Sequence, residues 1–123
     1  MAKPPAPAET PKPERWAIDA GDAAQAVLTI PADARRERRF EISCAMTVGL
    51  REPQPGAWHQ MTVLAGGAQQ WQRRVPTQNP GAWDGLDYRF TRTVPVGQAL
   101  RLVVSVACQG GRRRGLQVEA EEI

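Results

Sequence analysis

Histidine occurs once in this 123-residue chain and cysteine twice, and serine is found only at Ser43 and Ser105. That scarcity narrows the chemistry at once. A nucleophile-and-base arrangement would have to bring His59 to Ser43, Ser105 or a cysteine, and no Gly-x-Ser-x-Gly elbow is present. One imidazole with scattered carboxylates makes no metal site. No Cys-x-x-Cys exists, so zinc and dithiol redox motifs are absent. Glu52, Asp84 and Asp87 are the carboxylates available to a glycosidase pair, and nothing in their surroundings points to the raised pKa such a pair needs. Asp84-Gly85-Leu86-Asp87 offers too few oxygen ligands for calcium. No glycine-rich phosphate loop precedes a helix, so no nucleotide cofactor is expected. No apolar run approaches the ~20 residues that span a bilayer. Neither a Gly-X-Y period nor a heptad occurs. The expectation is a protein that is not an enzyme, with no metal and no cofactor, and with His59 as a partly exposed strand residue.

What is abundant is arginine, which makes up fourteen of the sixteen basic residues against thirteen acidic ones, for a net charge of +3. The arginines cluster at Arg35-Arg36-Glu37-Arg38-Arg39, Arg73-Arg74 and Arg112-Arg113-Arg114. The plainer reading is solvated loops. The functional one is an anionic partner, since the guanidinium fork matches planar oxyanions. The excess is too modest for a dedicated nucleic-acid binder. Proline is also frequent, and five of the eleven lie in residues 1–14. That segment lacks the apolar core of a signal peptide and reads as an extended Pro/Ala-rich tether. Such tethers are common in envelope proteins, so a periplasmic or extracellular setting is expected, with a cytoplasmic one as the alternative. The folded domain is then 15–123.

From Arg15 the chain reads as short strands between turn signals, near 15–19, 24–31, 39–49, 58–65, 69–76, 86–94, 99–108 and 114–121. Pro31 to Arg39 lacks an apolar stripe and reads as a loop or single turn. About eight antiparallel strands predict an all-β sandwich of the jelly-roll or a related Greek-key type. An immunoglobulin-like sandwich is the runner-up, against which stands the missing tryptophan just after the first cysteine. Phe40, Ile42, Cys44, Met46 and Val48 alternate onto one face, as do Leu100, Leu102, Val104, Val106 and Cys108. Both cysteines therefore face the core. They either pair, closing a loop worth roughly 4 kcal/mol, or remain buried thiols.

Four tryptophans against one tyrosine and two phenylalanines is an unusual ratio. If Gly66-Gly67 forms the hairpin turn, Thr62 faces Trp71, Gln60 faces Arg73 and Leu64 faces Gln69. One sheet face would then carry Trp58, Gln60, Gln69, Trp71 and Arg73. Aromatic rings interleaved with amides and guanidinium suit a saccharide, whose C–H face packs on indole while its hydroxyls take hydrogen bonds. Core packing of Trp58 and Trp71 is the competing account. Trp83, in a loop spanning 79–85, and Tyr88 complete the candidate ligand surface. The tetrapeptide Pro-Gly-Ala-Trp occurs twice, at 55–58 and 80–83.

The strand rhythm over 15–123 resembles jelly-roll, galactose-binding-like carbohydrate-binding modules. It is carried by the short Ala26–Ile30 strand, the Trp-bearing middle strands, Val96 to Leu102 and the closing Leu116 to Glu121. It brings no diagnostic motif, and the calcium ligands of those modules are not evident. The resemblance implies a fold more than a function, since such sandwiches host many roles. The expected partner of the tryptophan-bearing surface is a glycan or other envelope component. A protein partner in an envelope or secretion assembly is the alternative, and single-stranded nucleic acid is a third, less favoured one.

Overall fold

The structure is a computed structural model and describes residues 12–123. It contains β1 (Arg15–Asp19), β2 (Gln25–Ile30), β3 (Arg38–Gly49), β4 (Trp58–Ala65), β5 (Ala68–Pro76), β6 (Trp83–Val94), β7 (Leu100–Gln109) and β8 (Arg112–Glu122). All pairings between named strands are antiparallel. One sheet has the order β1-β8-β3-β6 and the other β2-β7-β4-β5. Strands from the two ends of the chain are interleaved with middle ones, which is the eight-stranded jelly-roll sandwich.

Period-two alternation explains the layering. Phe40, Ile42, Cys44, Met46 and Val48 of β3 meet Met61, Val63, Leu102 and Val104 of the opposite sheet in one buried core, with Leu116, Val118 and Ala120 of β8 beside them. The segment between β2 and β3 is a loop, in which Asp33 accepts from the backbone N–H groups of Arg35 and Arg36. Most of the expected tether, residues 1–11, lies outside the described residues. Its last residue, Glu14, is hydrogen-bonded to the domain, because the Glu122 N–H donates to its carbonyl and its own N–H donates to the Glu122 carboxylate.

Two strands begin more than one residue earlier than the pattern indicates, and both shifts bear on the site. β6 opens at Trp83, so this residue is not in a loop but pairs with Gly49 of β3. Gly85 obscures the strand in the sequence. It is required there because a Cβ at that position would lie 2.4 Å from the Met46 carbonyl oxygen. β8 opens at Arg112, so Arg112-Arg113-Arg114 is strand rather than loop.

The Gly66-Gly67 hairpin forms with both glycines at positive φ, 60° and 84°, as a primed two-residue turn requires. The first pairs are the anticipated ones, Ala65 with Ala68 and Leu64 with Gln69. A β-bulge then leaves Gln70 unpaired, and Val63 meets Trp71 instead of Thr62 doing so. One extra residue moves everything beyond it to the other face. Trp71 and Arg73 therefore share the inward phase with Met61 and Val63, while Trp58 and Gln60 point outward.

The disulfide is also corrected, since Cys44 and Cys108 are both free. Cys108 lies opposite His59, whose ring reaches the Gly85 carbonyl, level with Thr47 of β3. Cys44 is three residues further along β3, about 10 Å away and beyond disulfide reach. Burial pushes the Cys44 thiol up to about 12.

The chain termini meet at one end of the sandwich. The Arg38 guanidinium, its side chain 1% exposed, donates to both Glu14 carboxylate oxygens and to the Pro31 carbonyl. Arg36 bridges Glu14 and Glu122 at 2.9 Å each. That hydrogen bond, with the Glu14 N–H and the Arg36 and Arg38 charges, holds the Glu122 carboxyl below the usual glutamate range despite its burial. Its stabilising effect is in place at neutral pH and is lost as pH falls through the lowered value.

Thiol titration with Ellman's reagent, without reductant, checks the cysteine assignment. The native protein should react at the half-buried Cys108 and resist at Cys44, and the unfolded protein should give both thiols. An unfolded protein without titratable thiol would restore the disulfide.

Candidate functional site

Four connections, 20–24, 50–57, 77–82 and 110–111, gather at the end of the sandwich away from the termini. A cleft of about 790 Å³ opens among the last three of these. Its walls are Leu50 to Glu52 and Gln54, Gly81 to Trp83, and Gly110 to Arg112, with Gly49 and Arg114 at its base. Leu50 ties two walls together by accepting the Gly81 N–H at 2.8 Å.

Trp83 is 61% exposed, the one aromatic among the exposed large hydrophobic side chains of the described residues. A large aromatic ring at the rim of a cleft offers a flat apolar face to a ligand. The backbone places cations beside it. Gly49 pairs with Trp83 on one side and with Arg112 on the other. A second bulge, between Thr47 and Val48, skips Arg114 in the β3–β8 register and re-aims its side chain. The guanidinium crosses the space left by Gly49, with Nε 3.3 Å from where a Cβ would stand. It ends 5.2 Å from the Trp83 ring centroid, within cation–π range. Among the described residues, Arg51, Arg112 and Arg114 have no carboxylate partner, whereas Arg15, Arg36, Arg38 and Arg89 are ion-paired. Arg113 turns away and donates to the Asp22 carbonyl. Glu52 and Gln54 supply acceptors on the same wall.

A second cleft, of about 570 Å³, lies on the outer face of the other sheet and includes Trp58, Arg74 and Gln78. The Arg74 guanidinium stacks 3.6 Å from the Trp58 ring centroid and is steadied by its Nε–H to Gln60 at 2.9 Å. The Trp58 indole N–H donates to Gln109 at 3.0 Å. Gln54 lines both clefts.

The anticipated ligand residues are thus divided. Trp58 and Gln60 are together on the outer face. Gln69 is exposed near the hairpin and pairs with outward Leu64. Trp71 and Tyr88 form a parallel stack, centroids 4.6 Å apart, on the inner faces of the edge strands β5 and β6. Phe90 continues that stack at 5.4 Å, and the bulged Gln70 donates to the Tyr88 hydroxyl. Arg73 lies exposed at the same edge. Trp83 stands apart from all of these, in the loop-end cleft. Nothing in the sequence marks Arg51, Gln54, Arg74, Arg112 or Arg114 individually. The repeated Pro-Gly-Ala-Trp and the Arg112–Arg114 run are the signals that the sequence carries, but the bulge that aims Arg114 has none.

His59 differs most from expectation. It is fully buried, with 0% exposure. A carbonyl oxygen only accepts, so in the neutral ring Nε2–H donates to Gly85 at 3.2 Å. Nδ1 then accepts from the Thr77 hydroxyl at 2.7 Å. The imidazole therefore joins β4 to β6 of the opposite sheet and to the loop that walls the cleft. It is a structural tie. Among the described residues, no group of three or more His, Cys, Asp or Glu side chains is placed to hold a metal.

No family model matches the chain, and a search of curated proteins finds no match. Among the solved structures similar to it are the following two. Dimeric latent PorU from Porphyromonas gingivalis has a TM-score of 0.49 and 15% identity, covering 87% of this chain and 10% of that one. The infectious bursal disease virus Gx strain has a TM-score of 0.40 and 16% identity, covering 97% of this chain and 36% of that one. The chain spans only a small part of either neighbour, and likenesses of this size say nothing about its ligand.

Replacing His59 by leucine keeps the bulk but strands the Gly85 carbonyl and the Thr77 hydroxyl. Urea unfolding should show a loss of about 2 kcal/mol, the cost of buried polar groups left unpaired. An unchanged midpoint would contradict the cross-sheet role.

Proposed function

We propose that this chain is a non-catalytic binding module whose loop-end cleft takes an acidic saccharide. The observation that carries this reading is Trp83, exposed at the rim of the cleft beside arginines that lack carboxylate partners. An indole face packs on the C–H face of a sugar ring. Arg51, Arg112 and Arg114 suit the sugar's carboxylates or sulfates. Glu52 and Gln54 accept from its hydroxyls. The last feature favours a glycan, which carries several hydroxyl donors on each ring, over single-stranded DNA, which would use the same ring and cations but offers few hydroxyls. A cell-envelope or extracellular setting belongs to the same proposal.

One observation favours a second reading, a protein partner. The half-buried Trp71–Tyr88–Phe90 stack lines the open side of the sandwich between edge strands β5 and β6, where added strands dock.

Tryptophan fluorescence and calorimetry with polygalacturonate, dextran and oligo(dT) separate these readings. Polygalacturonate should bind, dextran should bind far more weakly, and Trp83→Ala should cost roughly tenfold in affinity, about 1.4 kcal/mol. Tighter binding of oligo(dT), or wild-type affinity in Trp83→Ala, would sink the saccharide assignment.

A further inference from the structure

The twice-occurring Pro-Gly-Ala-Trp has a structural counterpart. Gly56 and Gly81 both take positive φ, 82° and 75°, so each copy turns the chain sharply at the same end of the sandwich. Each then delivers its tryptophan as the first residue of a strand, Trp58 in β4 and Trp83 in β6. These strands belong to different sheets. Each indole also has a guanidinium over it, Arg74 at 3.6 Å for Trp58 and Arg114 at 5.2 Å for Trp83. The two arginines come from unrelated strands, β5 and β8, so the repetition of the pair is not a by-product of the repeated tetrapeptide. Among the described residues neither has a carboxylate partner. The Arg74 Nε–H is taken by Gln60, which holds the stacked plane in place.

The tryptophans point from opposite outer faces, and their clefts flank the 50–57 loop, where Gln54 lines both. With sheets ~10 Å apart and a side chain projecting from each, the two indole–guanidinium pairs stand on the order of 20 Å apart. We infer that they are two half-sites of one bipartite site, and that the ligand is a polymer draped over the loop end rather than a mono- or disaccharide. This rests on the acidic-saccharide reading of the Trp83 cleft and adds the requirement for length. A chain that engages one pair meets the second at high effective concentration, which raises affinity without any new type of contact. A disaccharide falls short of that span, whereas an octasaccharide exceeds it.

Calorimetric titration of the full chain with galacturonic-acid dimer and octamer tests this. The octamer should bind wild type at least about tenfold tighter than the dimer. In Arg74→Gln, a change at an exposed residue, that advantage should shrink to under about threefold, with Trp58→Ala as the second variant and thermal melting confirming both folds. Dimer and octamer binding wild type equally, or a length advantage that survives in both variants, would overturn the bipartite site and leave the Trp83 cleft standing. If neither oligomer binds wild type, the saccharide reading itself fails and the inference goes with it.

Discussion

Trp58 and Trp83 stand on different sheets, and no backbone ladder fixes one against the other. The tie is the imidazole of His59, which follows Trp58 in β4 and donates to the carbonyl of Gly85, two residues beyond Trp83 in β6. Its second nitrogen accepts from Thr77, whose backbone N–H is bonded to the Ala57 carbonyl. One buried ring therefore holds both sheets and two of the loops around the cleft in a single arrangement. Gly85 makes the close approach possible, since any side chain there would strike the Met46 carbonyl. Buried polar groups are costly when unpaired, so the fully bonded imidazole favours one arrangement of the loop end over sliding alternatives.

Charge is organised along the same axis. At the terminal end, Arg36 and Arg38 are matched by Glu14 and Glu122, and the chain is fastened as it enters and leaves the domain. At the loop end, Arg51, Arg112 and Arg114 surround a cleft with Glu52 as its acidic side chain. A net charge of +3 hides this polarity. Compensated charge fixes structure at one end, while uncompensated charge beside an exposed indole supplies the proposed binding surface at the other.

The sandwich was legible because β3, β7 and β8 alternate so regularly that their buried faces are written in every second residue. The site was less so, for reasons that lie in single residues. Gln70 bulges out of β5 and reverses the parity of Trp71 and Arg73, splitting what looked like one ligand face. Arg114 bulges out of β8 and reaches Trp83 over Gly49, a contact between residues far apart in sequence. His59 looked like a surface strand residue because its two partners, Thr77 and Gly85, lie beyond any local pattern. A bulge changes register without changing composition, so a count along the chain passes over it. Trp83 was legible as a candidate but not as the opening residue of β6.

The proposed loop-end site is tested most directly through the indole N–H signals of the four tryptophans in a two-dimensional 1H–15N spectrum. On addition of galacturonic-acid octamer, the Trp83 and Trp58 signals should shift together. Those of Trp71, stacked on Tyr88, and Trp16, near Glu14 at the far end, should stay in place. Movement of Trp71 while Trp83 remains still would contradict the assignment and transfer the binding surface to the open edge between β5 and β6.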